Sequence, residues 1–213
     1  MIESNRGKFR GSTPFLSMLV DEMLAPSAGV AQLIDLSDPR VFRQVKYSHY
    51  TDTPAFVLLG TGRGYRGAGR GYERSLPIFG ELADRVGDLR TPVLVTGLKV
   101  DPWMEDEKGY GLRVVPTVAF QAQADDRLSP KWNGYNFDKA DEKGFPLNLD
   151  REKGSRTWHT SDRNLSGLCL NRSLRVGSYD EDIANSDEDG RVVVVSRGAG
   201  VLEMKGILQT EGL

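Results

Sequence analysis

The sequence predicts an α+β domain in which N-terminal helices pack on a C-terminal antiparallel sheet. Three observations predict it. Phe15, Leu16, Leu19, Met23 and Leu24 recur at helical spacing. Leu168, Leu170, Leu174 and Val176 share one parity, the period of a half-buried strand. Val192 to Val195 form a β-branched run that is apolar on both faces, as in a central strand.

Ser12-Thr13-Pro14 opens the first helix with a hydroxyl cap and a proline at the first helical position, and Pro26 ends it. Ser27 predicts a second short helix through Val30, Leu33 and Ile34. Asp38-Pro39 repeats the start signal ahead of Val41, Phe42 and Val45. Ala55 to Leu59, between Pro54 and Gly60, reads as a buried strand. Ser75-Leu76-Pro77 predicts a helix carrying Ile78, Phe79, Leu82 and Val86 and closed by Gly87. Val93 to Val95 with Leu98 to Val100 reads as a strand. Asp106 to Gly109 then makes a turn, and a further strand from Gly111 to Phe120 is interrupted at Pro116. Asp125 to Ser155 is rich in Asp, Lys, Asn, Gly and Pro, with anchors at Trp132, Tyr135, Phe137, Phe145 and Leu147. It is expected to be an irregular segment packed on the surface.

At 213 residues the chain is read as a single domain, 1–213, able to bury a substantial core. Its net charge of −2 argues against bulk attraction to nucleic acid or to membrane surfaces. One cysteine, Cys169, excludes an intramolecular disulfide. With only two histidines besides, no metal site and no cofactor are expected. No apolar run reaches the roughly 18 residues of a membrane span, and the first residues lack the apolar segment of a signal peptide. Membrane insertion is therefore not expected, and a cytoplasmic or virus-associated location is.

Two motifs compete for function. Gly62-Arg63-Gly64-Tyr65-Arg66-Gly67 lies between a predicted strand and a predicted helix, as a dinucleotide-binding turn requires. Against it, strand–helix alternation stops after one unit. Arg63, Arg66, Arg70 and Arg74, interleaved with Tyr65 and Tyr72, suit phosphate and base contacts instead. The stretch 60–74 thus carries the alternative reading, a nucleotide- or nucleic-acid-binding protein. No catalytic residue is assigned. His49 and His159 lie in no catalytic motif, and Cys169 falls within alternating apolar residues. Asp187-x-Asp189-Gly190 resembles part of a calcium loop but lacks the ligand pattern of an EF-hand. A looser calcium site in the acidic loops stays open.

The segment 156–196 carries a more specific pattern. Thr157-Trp158-His159-Thr160-Ser161 resembles the Tyr/Thr-Trp-Ser-Ser-Thr cluster of C-type lectin-fold domains in their formylglycine-generating-enzyme-like branch. Leu168 to Val176 resembles that branch's next strand and turn, and Gly190 to Val195 is similar to its closing strand. His159 stands where the family usually carries Ser, and Arg191 directly follows the glycine. Enzymatic formylglycine generation is not implied, because a cysteine pair cannot exist here. The resemblance extends to the variable proteins of diversity-generating retroelements, whose gene ends are rewritten at template adenines. It implies a C-type lectin-like fold, no enzymatic activity, and a ligand-binding variable set between Gly167 and Val195. That set is Cys169, Asn171, Arg172, Ser173, Arg175, Gly177, Tyr179, Asp180, Asp182, Asn185, Asp187 and Asp189. Each of these residue types is reachable from an Asn codon by changing only its adenines, whereas Glu181 and Glu188 are not. The implied partner is a protein or cell-surface ligand, with no nucleic acid. Tyr179 and Arg175 are the expected energetic anchors.

Overall fold

The computed structural model describes residues 4–5, 8–9, 13–47, 50–60, 82, 84–87, 89–102, 112–162, 165–171, 175–179 and 190–197. For 4–5, 8–9, 112, 175 and 177–179 it describes the backbone alone. A short pair, β1 (Ser4–Asn5) and β2 (Lys8–Phe9), precedes the first helix.

The helix start signals hold. In α1 (Pro14–Leu24) the Thr13 hydroxyl accepts the Leu16 N–H at 2.9 Å, and Pro14 loses no hydrogen bond at the first position. In α2 (Pro39–Tyr47) the Phe42 N–H closes on the Asp38 carbonyl at 2.9 Å. The helix expected after Ser27 does not form. Ala28–Val30 is a strand, β3, and only a 3₁₀ turn, η1 (Leu33–Ser37), follows. Close packing at Gly29 decides this, since a Cβ there would lie 2.5 Å from both Arg197 Nε and Asp21 Oδ1. The Asp21 carboxylate accepts the Val30 N–H at 2.8 Å, and Arg197 donates to the Val30 carbonyl at 2.7 Å.

One seven-stranded sheet organises the rest. Its members are β4 (Tyr50–Leu58), β5 (Val93–Pro102), β6 (Leu112–Ala124), β7 (Tyr135–Phe137), β10 (Arg156–His159), β11 (Leu165–Asn171) and β12 (Arg175–Tyr179). The order across the sheet is β6-β5-β4-β11-β12-β10-β7. Every neighbouring pair is antiparallel except β10 with β12, which is parallel. Three strands come from residues 50–124, so the sheet is not confined to the C-terminus as expected. The α+β class with mostly antiparallel pairing holds.

The valine run is not a central strand. Both edges of β11 are occupied by β4 and β12, and β13 (Val194–Ser196) pairs with β3 outside the main sheet. Val195 is buried while Val194 is 43 % exposed, so the run presents one apolar face and not two. β4 extends past Pro54 to Tyr50. The proline fits because the register with β11 slips there, from Phe56↔Gly167 to Asp52↔Cys169. The Thr53 hydroxyl fills the gap by donating to the Leu168 carbonyl at 2.7 Å. β6 continues through Pro116, which an edge strand tolerates. A register shift opposite Gly97 and the fully exposed Val118 blunt that edge against further pairing. Leu82 and residues 84–86 are helical, consistent with part of the predicted helix. The rest of that helix and the turn at 106–109 lie outside the described residues. Among the described residues no helix is long and apolar enough to cross a membrane.

The sheet buries both faces. On one, Phe15 and Met18 of α1 pack on Phe56, Leu58, Val95 and Leu165. On the other, Leu33, Leu36, Val45, Leu128 and Phe145 cover Val57, Leu168, Leu170, Val176 and Trp158. The segment 125–155 is more ordered than expected. It contains 3₁₀ turns η2 (Asp126–Leu128) and η3 (Pro130–Trp132), strand β7, and a small pair β8 (Lys139–Ala140) with β9 (Pro146–Leu147). Phe137 and Phe145 are buried anchors, Trp132 and Tyr135 are half-buried, and Leu147 is exposed at 41 % and anchors nothing.

Trp158 is the point on which this segment closes. Its ring is fully buried, edge-on to Phe137 and Phe145 with centroids 6.1 and 6.2 Å away. Its indole N–H donates to the Arg127 carbonyl at 2.6 Å. Arg127 in turn holds Asp125 at 2.6 Å and Asp141 at 2.8 Å, and its guanidinium lies 4.8 Å from the Phe145 ring centre. The Asp125 hydrogen bond, and with it Asp141, raises the guanidinium pKa against the opposing effect of burial.

Burial pushes the Asp141 carboxyl up, but Arg127 and the Phe145 and Lys143 amides outweigh it and hold the group below its ordinary 3.8. An acid lowered on folding stabilises the fold above its unfolded-state pKa and loses that contribution as pH falls through the folded value. Asp141→Asn is therefore expected to lower the urea midpoint at pH 7 and to flatten the loss of stability below about pH 4. Parallel acid limbs for the two proteins in urea titrations would contradict this role for Asp141.

Candidate functional site

Alternation along β10, β11 and β12 separates two sets of side chains. Trp158, Leu168, Leu170 and Val176 are each no more than 2 % exposed and face one core. The positions between them lie on the opposite sheet face, because directly paired residues share a face. Across that face the register aligns Asn136 with Thr157 and Thr157 with position 175. It also aligns His159 with 177, 177 with Cys169, and Cys169 with Asp52. Asn171 pairs with Tyr50, and 179 with Gly167. Helix α1 packs on β3, β4 and β5, and its first residue reaches Gly167, where Pro14 Cγ would lie 3.5 Å from an added Cβ.

Five of the twelve residues in the expected variable set thus fall on one face by register: Cys169, Asn171, Arg175, Gly177 and Tyr179. Arg172, Ser173, Asp180, Asp182, Asn185, Asp187 and Asp189 lie outside the described residues, as do His49 and 61–74 of the Gly/Arg-rich stretch. Asn171 is half-buried at the end of its strand. Cys169 requires a correction, since it is only 3 % exposed and its thiol is withdrawn from any open surface. Parity places a side chain on a face but does not reveal what covers it. Directly across the ladder from Cys169 stands Asp52, itself 2 % exposed.

Sequence reading missed Asn136. Its side-chain oxygen accepts the Thr157 hydroxyl at 2.9 Å, so the polar face continues onto edge strand β7. The signal was the Tyr135-Asn136-Phe137 alternation, with Phe137 buried in the core. Around the same edge Trp132 and Tyr135 meet edge-on at 5.2 Å, with Lys131 over the first ring and Arg151 over the second. The Lys131 ammonium hydrogen-bonds Asp126 and lowers its pKa. At the start of β10, Arg156 lies over the Phe137 and Phe42 rings, and burial lowers its pKa.

The face carries amide, hydroxyl and imidazole groups, with the Asn136 amide bonded to Thr157 and to the Arg151 carbonyl and the His159 Nε2 atom buried. Among the described residues no group of three or more His, Cys, Asp or Glu is placed to hold a metal ion. No protein-family profile, curated protein or solved structure matches this chain.

The burial of Cys169 has a measurable consequence. In the native protein the thiol is expected to react with a thiol-specific disulfide reagent at least about tenfold more slowly than after denaturation in urea. Equal rates in the two states would return Cys169 to an open surface.

Proposed function

We propose that this chain is a non-enzymatic binding protein that displays a diversified polar face on a C-type lectin-like scaffold, in the manner of a retroelement variable protein. The observation that carries this reading is the division of β10, β11 and β12. One parity supplies the core through Trp158, Leu168, Leu170 and Val176, each at most 2 % exposed. The other parity holds Asn171 and positions 175, 177 and 179, away from that core.

A surface that varies needs a fold indifferent to the side chains that vary. Substitutions at such positions usually change stability by no more than about 0.5 kcal/mol, whereas truncating a buried leucine costs about 2–5 kcal/mol. Seven of the twelve residues in the set are Ser, Asn, Gly, Tyr or Arg, types that antibody paratopes use, and four are Asp. Tyr179 and Arg175 are of the types that dominate interface energies. The ligand is a protein or cell-surface molecule.

The gene's flanking DNA tests the reading. A near-copy of the segment encoding 167–195 is expected beside a reverse transcriptase gene, differing only where the copy carries adenines. Those adenines should fall in the codons for Asn171, Arg175, Gly177 and Tyr179 and spare those for Leu168, Leu170 and Val176. Flanking sequence with neither a near-copy nor a reverse transcriptase gene would overturn the proposal.

A further inference from the structure

The opposite face of the sheet, over β4, β5 and β6, holds a groove of about 190 Å³. Its apolar floor is Ala55, Leu94 and Leu168, with Phe145, Leu33 and Ile34 as walls. Polar groups stand only along the rim: Thr96, Gln121 and Gln123 from the sheet, Gln32, and Lys143 from the turn between β8 and β9. Among the described residues, no hydrogen bond or ion pair engages the side chains of Gln121, Gln123 or Lys143.

The lip of this groove is rigidly built. Asp141 accepts the Lys143 and Phe145 N–H groups at 3.0 and 2.9 Å, and Arg127 fastens the same carboxylate at 2.8 Å. Between them Gly144 has a φ of +87° and lies so close to η1 that an added Cβ would stand 2.5 Å from the Leu33 backbone. This geometry sets the Lys143 turn directly against Leu33 and keeps the groove from collapsing.

We propose that this groove binds a small monocarboxylate with an aromatic or branched apolar body. The size follows from the volume of about 190 Å³, since a cavity of about 150 Å³ accepts benzene, so this one holds about eight non-hydrogen atoms and leaves a charged end at the open rim. The apolar body rests on Leu94, Leu168 and Phe145. The carboxylate meets Lys143, the one charged side chain in the lining, and the glutamines supply uncharged hydrogen bonds beside it. The site is on the face away from positions 171, 175, 177 and 179, so its chemistry is independent of their identity.

Calorimetric titration of the full chain with phenylacetate and with its neutral isostere phenylacetamide tests the assignment. The acid is expected to bind about fivefold more tightly than the amide, the upper range for an exposed ion pair. Lys143→Gln should remove that preference, so that acid and amide bind equally. Thr96→Trp, a rim substitution that suits a strand and fills the groove, should abolish both without changing the urea midpoint. Equal affinity of acid and amide for the unaltered protein would overturn the proposal. So would a preference that survives Lys143→Gln, or absence of binding at about 10 mM of either compound.

Discussion

The structure depends on one buried ring and the hydrogen bond it donates. Trp158 stands in β10, between edge strand β7 and the inner strand β12, and its indole N–H reaches the Arg127 carbonyl at 2.6 Å. An indole buried without that partner would carry an unsatisfied donor, at a cost of about 1–3 kcal/mol. The bond therefore selects where the 3₁₀ turn of Arg127 must lie. From there the Arg127 side chain takes hold of Asp125 and Asp141, and Phe145 is brought against the ring. A segment of some thirty residues, 125–155, poor in regular structure, is ordered by a centre that a single strand presents.

That centre also separates the two faces of the sheet. Trp158, Leu168, Leu170 and Val176 are committed to the core beneath segment 125–155, so stability on that side rests on side chains of one parity. Of the other parity, Leu165 and Cys169 are buried beneath the opposite face, whereas Thr157 and Asn171 are only half-buried. This is the physical basis for reading them as a recognition surface. The groove lies on the core side, over Leu94 and Leu168, away from these positions.

Local signals in the sequence were legible because the physics behind them is local. Thr13-Pro14 and Asp38-Pro39 cap their helices with groups two or three residues away. The period of Leu168, Leu170 and Val176 reports burial directly. What was not legible depends on partners distant in sequence. Ala28–Val30 is a strand because residues 194–196 lie beside it, and Gly29 is required because Arg197 crosses it. The valine run looks central by composition, but the centre of the sheet was already filled by β4 and β12 on either side of β11. The parallel pairing of β10 with β12 has no sequence signature in so short a strand. Asn136 was within reach, since its two aromatic neighbours alternate with it, yet the polar composition around it masked the strand. Cys169 shows the limit of parity, because the same face that carries half-buried Asn171 buries the thiol.

The central claim is that the fold depends on Trp158, Leu168, Leu170 and Val176 and is indifferent to the positions of the other parity at 157, 171, 175 and 179, beyond the buried Leu165 and Cys169. A saturation scan of positions 157–158, 168, 170–171, 175–176 and 179, read as protease resistance of each variant, tests it most directly. The account predicts that polar residues are rejected at Trp158, Leu168, Leu170 and Val176 and accepted at Thr157, Asn171, Arg175 and Tyr179. Rejection at both parities alike would mean that the polar face is itself structural, and would contradict the account.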